Sequence, residues 1–306
     1  MNQEEEFVMK SCLTLVTILL VSIFVTSTCQ ATDPVGENVN VGGNNKDKSS
    51  DWDTHLSMVH LFSANLRNST ADVDITDLRL KVTRDIKLND RLTMTLGGGY
   101  GLKEIDSSLS AGLPHDLHSL FVEAGATYRF NNKAFASLKL SPGFYSDFED
   151  LGEDDLRMPT LALGGYSFNN GLSLVGGFIY RFGYRSTQFI PALGFRYQPN
   201  QYWKFDAIAP RPGITYIASR EIQLFVAGDF ASDEYELKDK SLGAKAIKYV
   251  DYKAMAGVNY LPIPTIKLSS SVGYAFERKF EFYDTIRSDQ RMDDVPFFKI
   301  TLNFNW

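Results

Sequence analysis

From Thr54 to Trp306 the chain alternates apolar and polar positions with a period of two, which sends successive side chains to opposite faces of extended strands. Leu78, Leu80 and Val82 stand against Arg79, Lys81 and Thr83. Leu120, Val122, Ala124, Ala126, Tyr128 and Phe130 stand against Ser119, Glu123, Gly125, Thr127 and Arg129. Leu172, Leu174, Gly176, Phe178, Tyr180, Phe182 and Tyr184 form a further row, and Ile266, Leu268, Val272, Tyr274 and Phe276 oppose Lys267, Ser269, Ser271, Gly273 and Glu277. The last row is Phe298, Ile300, Leu302, Phe304 and Trp306, against Lys299, Thr301, Asn303 and Asn305. Such rows outrun an ordinary soluble strand and match the roughly ten residues that a tilted strand needs to cross hydrocarbon.

The pattern predicts fourteen strands, near residues 54-66, 71-88, 91-105, 117-131, 133-146, 156-168, 172-184, 187-198, 201-209, 213-219, 222-233, 247-261, 264-278 and 295-306. The expected fold is therefore all-β, a transmembrane antiparallel up-and-down β-barrel over 54-306. Twelve strands is the alternative count, because Pro191, Pro210 and Pro212 interrupt candidate strands and proline removes a ladder donor.

Connection lengths and aromatic positions test this reading separately. Every second connection is a short turn: Leu88-Asn89-Asp90, Phe130 to Lys133, Phe168 to Gly171, Gln198 to Gln201, Ser219-Arg220-Glu221 and Leu261 to Pro264. The intervening set holds all four long polar loops, at 103-116, 147-155, 232-246 and 279-294. Short periplasmic turns and long extracellular loops are the habit of outer-membrane barrels. Tyr128, Phe130, Tyr166, Phe168, Tyr197, Tyr202, Trp203, Tyr260, Phe304 and Trp306 gather beside the short turns as a membrane girdle. Tyr100, Phe144, Tyr145, Phe182, Tyr184, Phe276 and Phe280 gather at the opposite end. Aromatic rings favour the headgroup level at both membrane faces.

Composition changes little. A mean hydropathy of -0.17 is compatible with a membrane barrel, since half of each strand faces the lumen. With 31 basic against 37 acidic residues there is no basic surface for nucleic acid, so that partner is excluded. A soluble β-sandwich explains the alternation but neither the aromatic bands nor the terminal row. One segment is continuously apolar, Cys12 to Val25, which is short for a membrane helix and suits the core of a signal peptide. Residues 1-31 are read as that peptide, cleaved after Ala31. Glu4, Glu5 and Glu6 place negative charge where such a peptide wants positive, so the true start is read as Met9. Both cysteines, Cys12 and Cys29, lie before residue 32, leaving no disulfide in the exported chain. The residues before Cys29 lack the pattern of a lipidated cysteine. Residues 32-53, rich in Gly, Asn, Asp and Ser, read as a flexible periplasmic linker or an occupant of the barrel mouth.

The stretches Leu140 to Asp147 (LSPGFYSD), Ile190 to Gly194 (IPALG) and Pro210 to Tyr216 (PRPGITY) resemble an uncharacterised group of outer-membrane β-barrel proteins, domain of unknown function 6268. The resemblance runs from about Leu61 to Trp306 and implies an outer-membrane barrel with no established activity.

Candidate chemistry is sparse. His55-Leu56-Ser57 has the His and Ser spacing of lipid-cutting barrel enzymes, but His55 opens the first strand at the periplasmic rim and no third group to orient the imidazole is evident. His115, Asp116 and His118 at an outer loop read as exposed polar residues rather than a closed metal site. The acidic run Asp147, Glu149, Asp150, Glu153, Asp154 and Asp155 reads as a solvated loop, with divalent bridging to lipopolysaccharide as the sharper alternative. No catalytic residue, metal or cofactor is expected. The polar parity supplies lumen-lining candidates: Arg79, Lys81, Glu123, Arg129, Lys139, Asp229, Asp251, Lys253, Lys267 and Glu277. Mixed charges of this kind suit a passive channel or uptake path for small polar solutes. The alternative is a closed structural barrel meeting partners through its outer loops; a lipid-modifying enzyme comes third. Expected partners are outer-membrane lipid and lipopolysaccharide, and the barrel-assembly machinery through the strand ending at Trp306.

Overall fold

The computed structural model describes residues 52–306 apart from 68, 109–110, 187 and 209–210. The export segment, the alternative start at Met9 and all of 32–53 but its last two residues lie outside the described residues. The strands are β1 (Trp52–Asn65), β2 (Asp72–Lys87), β3 (Leu92–Ser107), β4 (Asp116–Arg129), β5 (Ala134–Leu140), β6 (Gly143–Ser146), β7 (Leu156–Ser167) and β8 (Leu172–Phe182). They continue with β9 (Phe189–Tyr197), β10 (Trp203–Ile208), β11 (Gly213–Ile217), β12 (Ile222–Glu236), β13 (Ala246–Ile263), β14 (Ile266–Tyr283), β15 (Gln290–Arg291) and β16 (Val295–Asn305).

All belong to one sheet in which chain neighbours pair antiparallel, and pairing of β11 with β12 and of β1 with β16 closes it into a barrel. β5 and β6 are two halves of one crossing strand: both pair with β4 and with β7, and the break falls at Ser141-Pro142, where proline cannot donate to a ladder. β15 pairs only with the upper part of β14. Fourteen strands therefore cross, and the twelve-strand alternative falls. Pro212 lies in the connection between β10 and β11, while Pro191 is accommodated within β9 opposite Phe178.

The short turns have a recurrent local cause. Asn89 Oδ1 accepts the backbone N–H of Arg91 and of Leu92, both at 2.9 Å. Asn131 does the same for Lys133 and Ala134, and Asn200 for Tyr202 and Trp203. The side chain mimics a backbone turn and satisfies the donors that a reversing chain leaves open. The seam is made by Trp52 and Trp306, which exchange two backbone hydrogen bonds of 3.1 Å and stack their rings at 5.5 Å.

The outer face is apolar around the wall: Leu80, Val122, Leu193 and Val226 are 44%, 62%, 71% and 61% exposed. In water this would be an untenable surface. A closed sheet leaves no unpaired edge in lipid, so the chain is an integral outer-membrane barrel. Beside the short turns, Tyr128, Phe130, Tyr166, Phe168, Tyr197, Tyr202, Trp203, Phe304 and Trp306 are exposed and Tyr260 is half-buried. At the other end Tyr100, Phe144 and Phe182 are exposed, but Tyr145, Tyr184 and Phe280 are buried inside rather than set in a girdle.

Their burial reflects a second departure. β3 runs on to Ser107, β12 to Glu236 and β14 to Tyr283, and β13 begins at Ala246, so the strands extend into the connections expected at 103-116, 232-246 and 279-294. Both parities are buried at the end of β12 and the start of β13, which erases the alternation there. Leu61, Val73, Ile75, Ile105, Leu117, Tyr145, Tyr235, Ile247, Phe280 and Phe297 join in one apolar core at this extracellular end.

Candidate functional site

Inward parity gathers the charged residues into groups. At mid-wall Glu123 on β4 receives Lys81 from β2 at 2.8 Å and Lys139 from β5 at 3.0 Å. On the opposite wall Asp229 of β12 accepts from Lys299 of β16 and from Arg211 of the β10–β11 connection, both at 2.8 Å. Asp251 accepts from Lys253 and from the Tyr249 hydroxyl. Lys267 is half-buried, within electrostatic reach of Lys204 and Asp206. Two expected lining residues sit elsewhere. Arg129 is exposed beside the periplasmic turn. Glu277 is exposed at a register shift where its φ is +50° and its N–H donates to Asp294. The irregularity reverses the parity, so Arg278 takes the buried position instead.

The most organised part of the interior is at the mouth opposite the short turns. The paired ends of β12 and β13 reach across it to the far wall, where Glu236 pairs in parallel with Ser146 of β6. β12 and β6 stand on opposite sides of the closed sheet order, so the hairpin spans the opening. Asp147 Oδ2 fastens the tip by accepting the N–H of Lys238 at 2.8 Å and of Asp239 at 3.1 Å. Asp155 accepts from the Gly152 N–H at 2.7 Å and lies 3.6 Å from Lys238 Nζ. Two members of the acidic run thus hold the hairpin, and are not simply a solvated loop.

Four cations on the facing wall, and Arg185 from the β8–β9 connection, meet the hairpin. Arg79 Nη2 donates to Asp233 at 2.8 Å and Lys103 Nζ lies 3.6 Å from the same carboxylate, while both also bind Asp77. Arg157 Nη2 donates to Glu236 at 3.0 Å. Arg185 takes Glu236 through both terminal nitrogens, one at 2.9 Å. Arg181 donates to the Ser232 carbonyl at 2.6 Å. Glu234 accepts the backbone N–H of Arg185 at 2.8 Å and of Ser186 at 3.0 Å. Arg157, Arg181, Glu234 and Glu236 are all buried. Charges so desolvated persist only when paired and hydrogen-bonded. Of these residues only Arg79 is among the lining candidates: on the hairpin the alternation stops because both faces are covered, and Arg185 lies in a connection, while Arg157 and Arg181 do keep the inward parity of β7 and β8.

The other motifs resolve simply. His55 Nδ1 lies 2.7 Å from Asn303 Oδ1, so the structure supplies a third group that the spacing alone did not disclose. Yet His55 and Ser57 share the inward parity and are buried, away from lipid, and Ser57 Oγ has no hydrogen-bond partner among the described residues. His118 turns outward to the Tyr100 hydroxyl at 2.8 Å. His115, largely exposed, pairs with Asp116 at 3.0 Å. The hydrogen bond and charge of Asp116 raise its pKa above the usual histidine value. Among the described residues no group of three His, Cys, Asp or Glu is placed to hold a metal.

No family model and no curated protein matches the chain. Among solved structures it is similar to an outer membrane channel from Pseudomonas putida F1, at 15% identity over 84% of this chain and 96% of that one, with a TM-score of 0.47. It is also similar to the KdgM porin, at 9% identity over 82% and 99% of the two chains, TM-score 0.36. A third is the translocator domain of the autotransporter NalP from Neisseria meningitidis, at 11% identity over 87% and 92%, TM-score 0.34.

Proposed function

We propose that this barrel is a non-enzymatic conduit for small polar solutes whose extracellular mouth is closed by the β12–β13 hairpin. The observation that carries the reading is the hairpin itself. Apolar side chains alone could plug a purely structural barrel; here, besides the apolar core it shares with the wall, the crossing segment sets carboxylates on arginines and a lysine. Buried charges must stay paired, so lifting the hairpin leaves the wall cations in need of new partners, a role that water and a charged solute can fill. Fourteen strands enclose more than side chains alone ordinarily fill, unlike eight.

The same reading takes residues 1-31 as the export signal, the strand ending at Trp306 as the mark for the assembly machinery, and the outer wall as the surface that meets lipopolysaccharide. The resemblance to domain of unknown function 6268 rests on its three motifs. A closed, surface-interacting barrel is the second reading, favoured by the apolar core beneath the hairpin. A lipid-modifying enzyme is disfavoured by the inward set of His55 and Ser57.

Planar-bilayer conductance separates them. The intact barrel should pass little current, and a variant with residues 233-245 replaced by a short Asn-Gly turn should pass a steady one. Absence of current from both, with heat-modifiable mobility proving each is folded, would dismiss the conduit.

A further inference from the structure

We infer that the cationic face beneath the hairpin is a recognition site for solutes carrying two or more carboxylates, and that the hairpin's acidic strand occupies it as an internal stand-in for them. The inference rests on the conduit reading and adds the class of solute to it.

Stoichiometry comes first. Arg79, Lys103, Arg157, Arg181 and Arg185 converge on one stretch of the mouth. From the wall Asp77 answers Arg79 and Lys103, and from a flanking loop Asp284 lies 2.8 Å from Arg185 Nε. The hairpin supplies the rest as Asp233, Glu234 and Glu236. Withdrawing it uncovers a surplus of positive charge in a narrow opening, where field lines concentrate and an anion replaces what left.

Geometry then sets the kind of anion. Glu234 and Glu236 are two residues apart on one strand, which spaces their attachment points by about 7 Å along it. Glu236 is gripped by two guanidinium groups, and Glu234 by two successive backbone N–H groups at Arg185 and Ser186. Guanidinium forks and paired N–H groups recognise planar carboxylates with directional bonds. Two such receptors side by side select for carboxylates joined by a short linker. A lone monocarboxylate engages only one.

The Ser146→Cys, Glu236→Cys double variant tests this in the full-length protein, because the natural cysteines, Cys12 and Cys29, both precede the wall. Positions 146 and 236 are register partners, so an oxidised pair locks the hairpin down, and a reduced pair leaves it on the Asp233, Glu234 and Asp147 contacts without those of Glu236, freer to lift. Reduction should raise the conductance and give a reversal potential in a potassium chloride gradient on the anion-selective side. Added propane-1,2,3-tricarboxylate should then reduce the chloride current at a concentration about tenfold below that of acetate, and propane-1,2,3-tricarboxamide should have no effect. Arg185→Gln, at a partly exposed position, should erase the difference between tricarboxylate and acetate while leaving gel mobility unchanged. A reduced channel that conducts but favours cations overturns the inference, as does equal potency of acetate and tricarboxylate. Phosphate as potent as tricarboxylate overturns the carboxylate class. Absence of current after reduction counts against the conduit reading instead.

Discussion

The two ends of this barrel are closed by different means. At the short-turn rim each pair of strands is joined by two to five residues, and turns are fixed by a neighbour in sequence: Asn89, Asn131 and Asn200 bind N–H groups two and three positions on. At the extracellular mouth the partners are distant. Arg79 meets Asp233 across 154 positions, and Arg157 meets Glu236 across 79. The rim is local and neutral, and the mouth is long-range and charged. Disturbance should therefore propagate very differently from the two ends.

The sharpest break comes from Arg157→Met. It leaves Glu236 and Glu234 buried with a partner missing, a change that costs about 3–5 kcal/mol. Faster hydrogen exchange at residues 232 to 237, with the rim amides unmoved, is the expected result. Unaltered exchange at the mouth would show that the ion pairs there do not hold it. Next, Ile247→Val trims the core beneath the hairpin and should loosen it by about 1 kcal/mol, read as earlier proteolysis of the β12–β13 connection. At the rim, Asn200→Ala removes two exposed side-chain bonds and should cost about 0.5 kcal/mol; a loss as large as that at the mouth would erase the contrast. The smallest effect is in the outer loop. His115 titrates above the ordinary histidine value because of Asp116, so whatever stability the pair lends is complete below the unfolded value and disappears as pH rises through the raised one. An NMR titration should return the shift to normal in Asp116→Asn.

The contrast also explains what could be read from the chain. Strand number and turns follow from period two, loop rhythm and Asn-rich turns, all features within about ten residues of one another. Lys81, Glu123 and Lys139 were visible as lining candidates because wall residues keep their parity. Glu234 and Glu236 were not. The hairpin leaves the wall and is buried on both faces, so its composition resembled a polar outer loop. Glu277 misled for a related reason, since a backbone irregularity moved the inward position to Arg278. Asn303 beside His55 is adjacent only across the seam, and no single stretch of sequence contains that pairing.

The seam of Trp52 and Trp306 bears on assembly. Because β16 sits between β1 and β14, a chain lacking its final strand is an open ribbon with two raw edges, each able to capture a foreign strand. Closure can come only after the last segment has arrived. Until then the growing sheet depends on whatever guards its margins, and the aromatic clasp at the seam is the latch that ends the dependence.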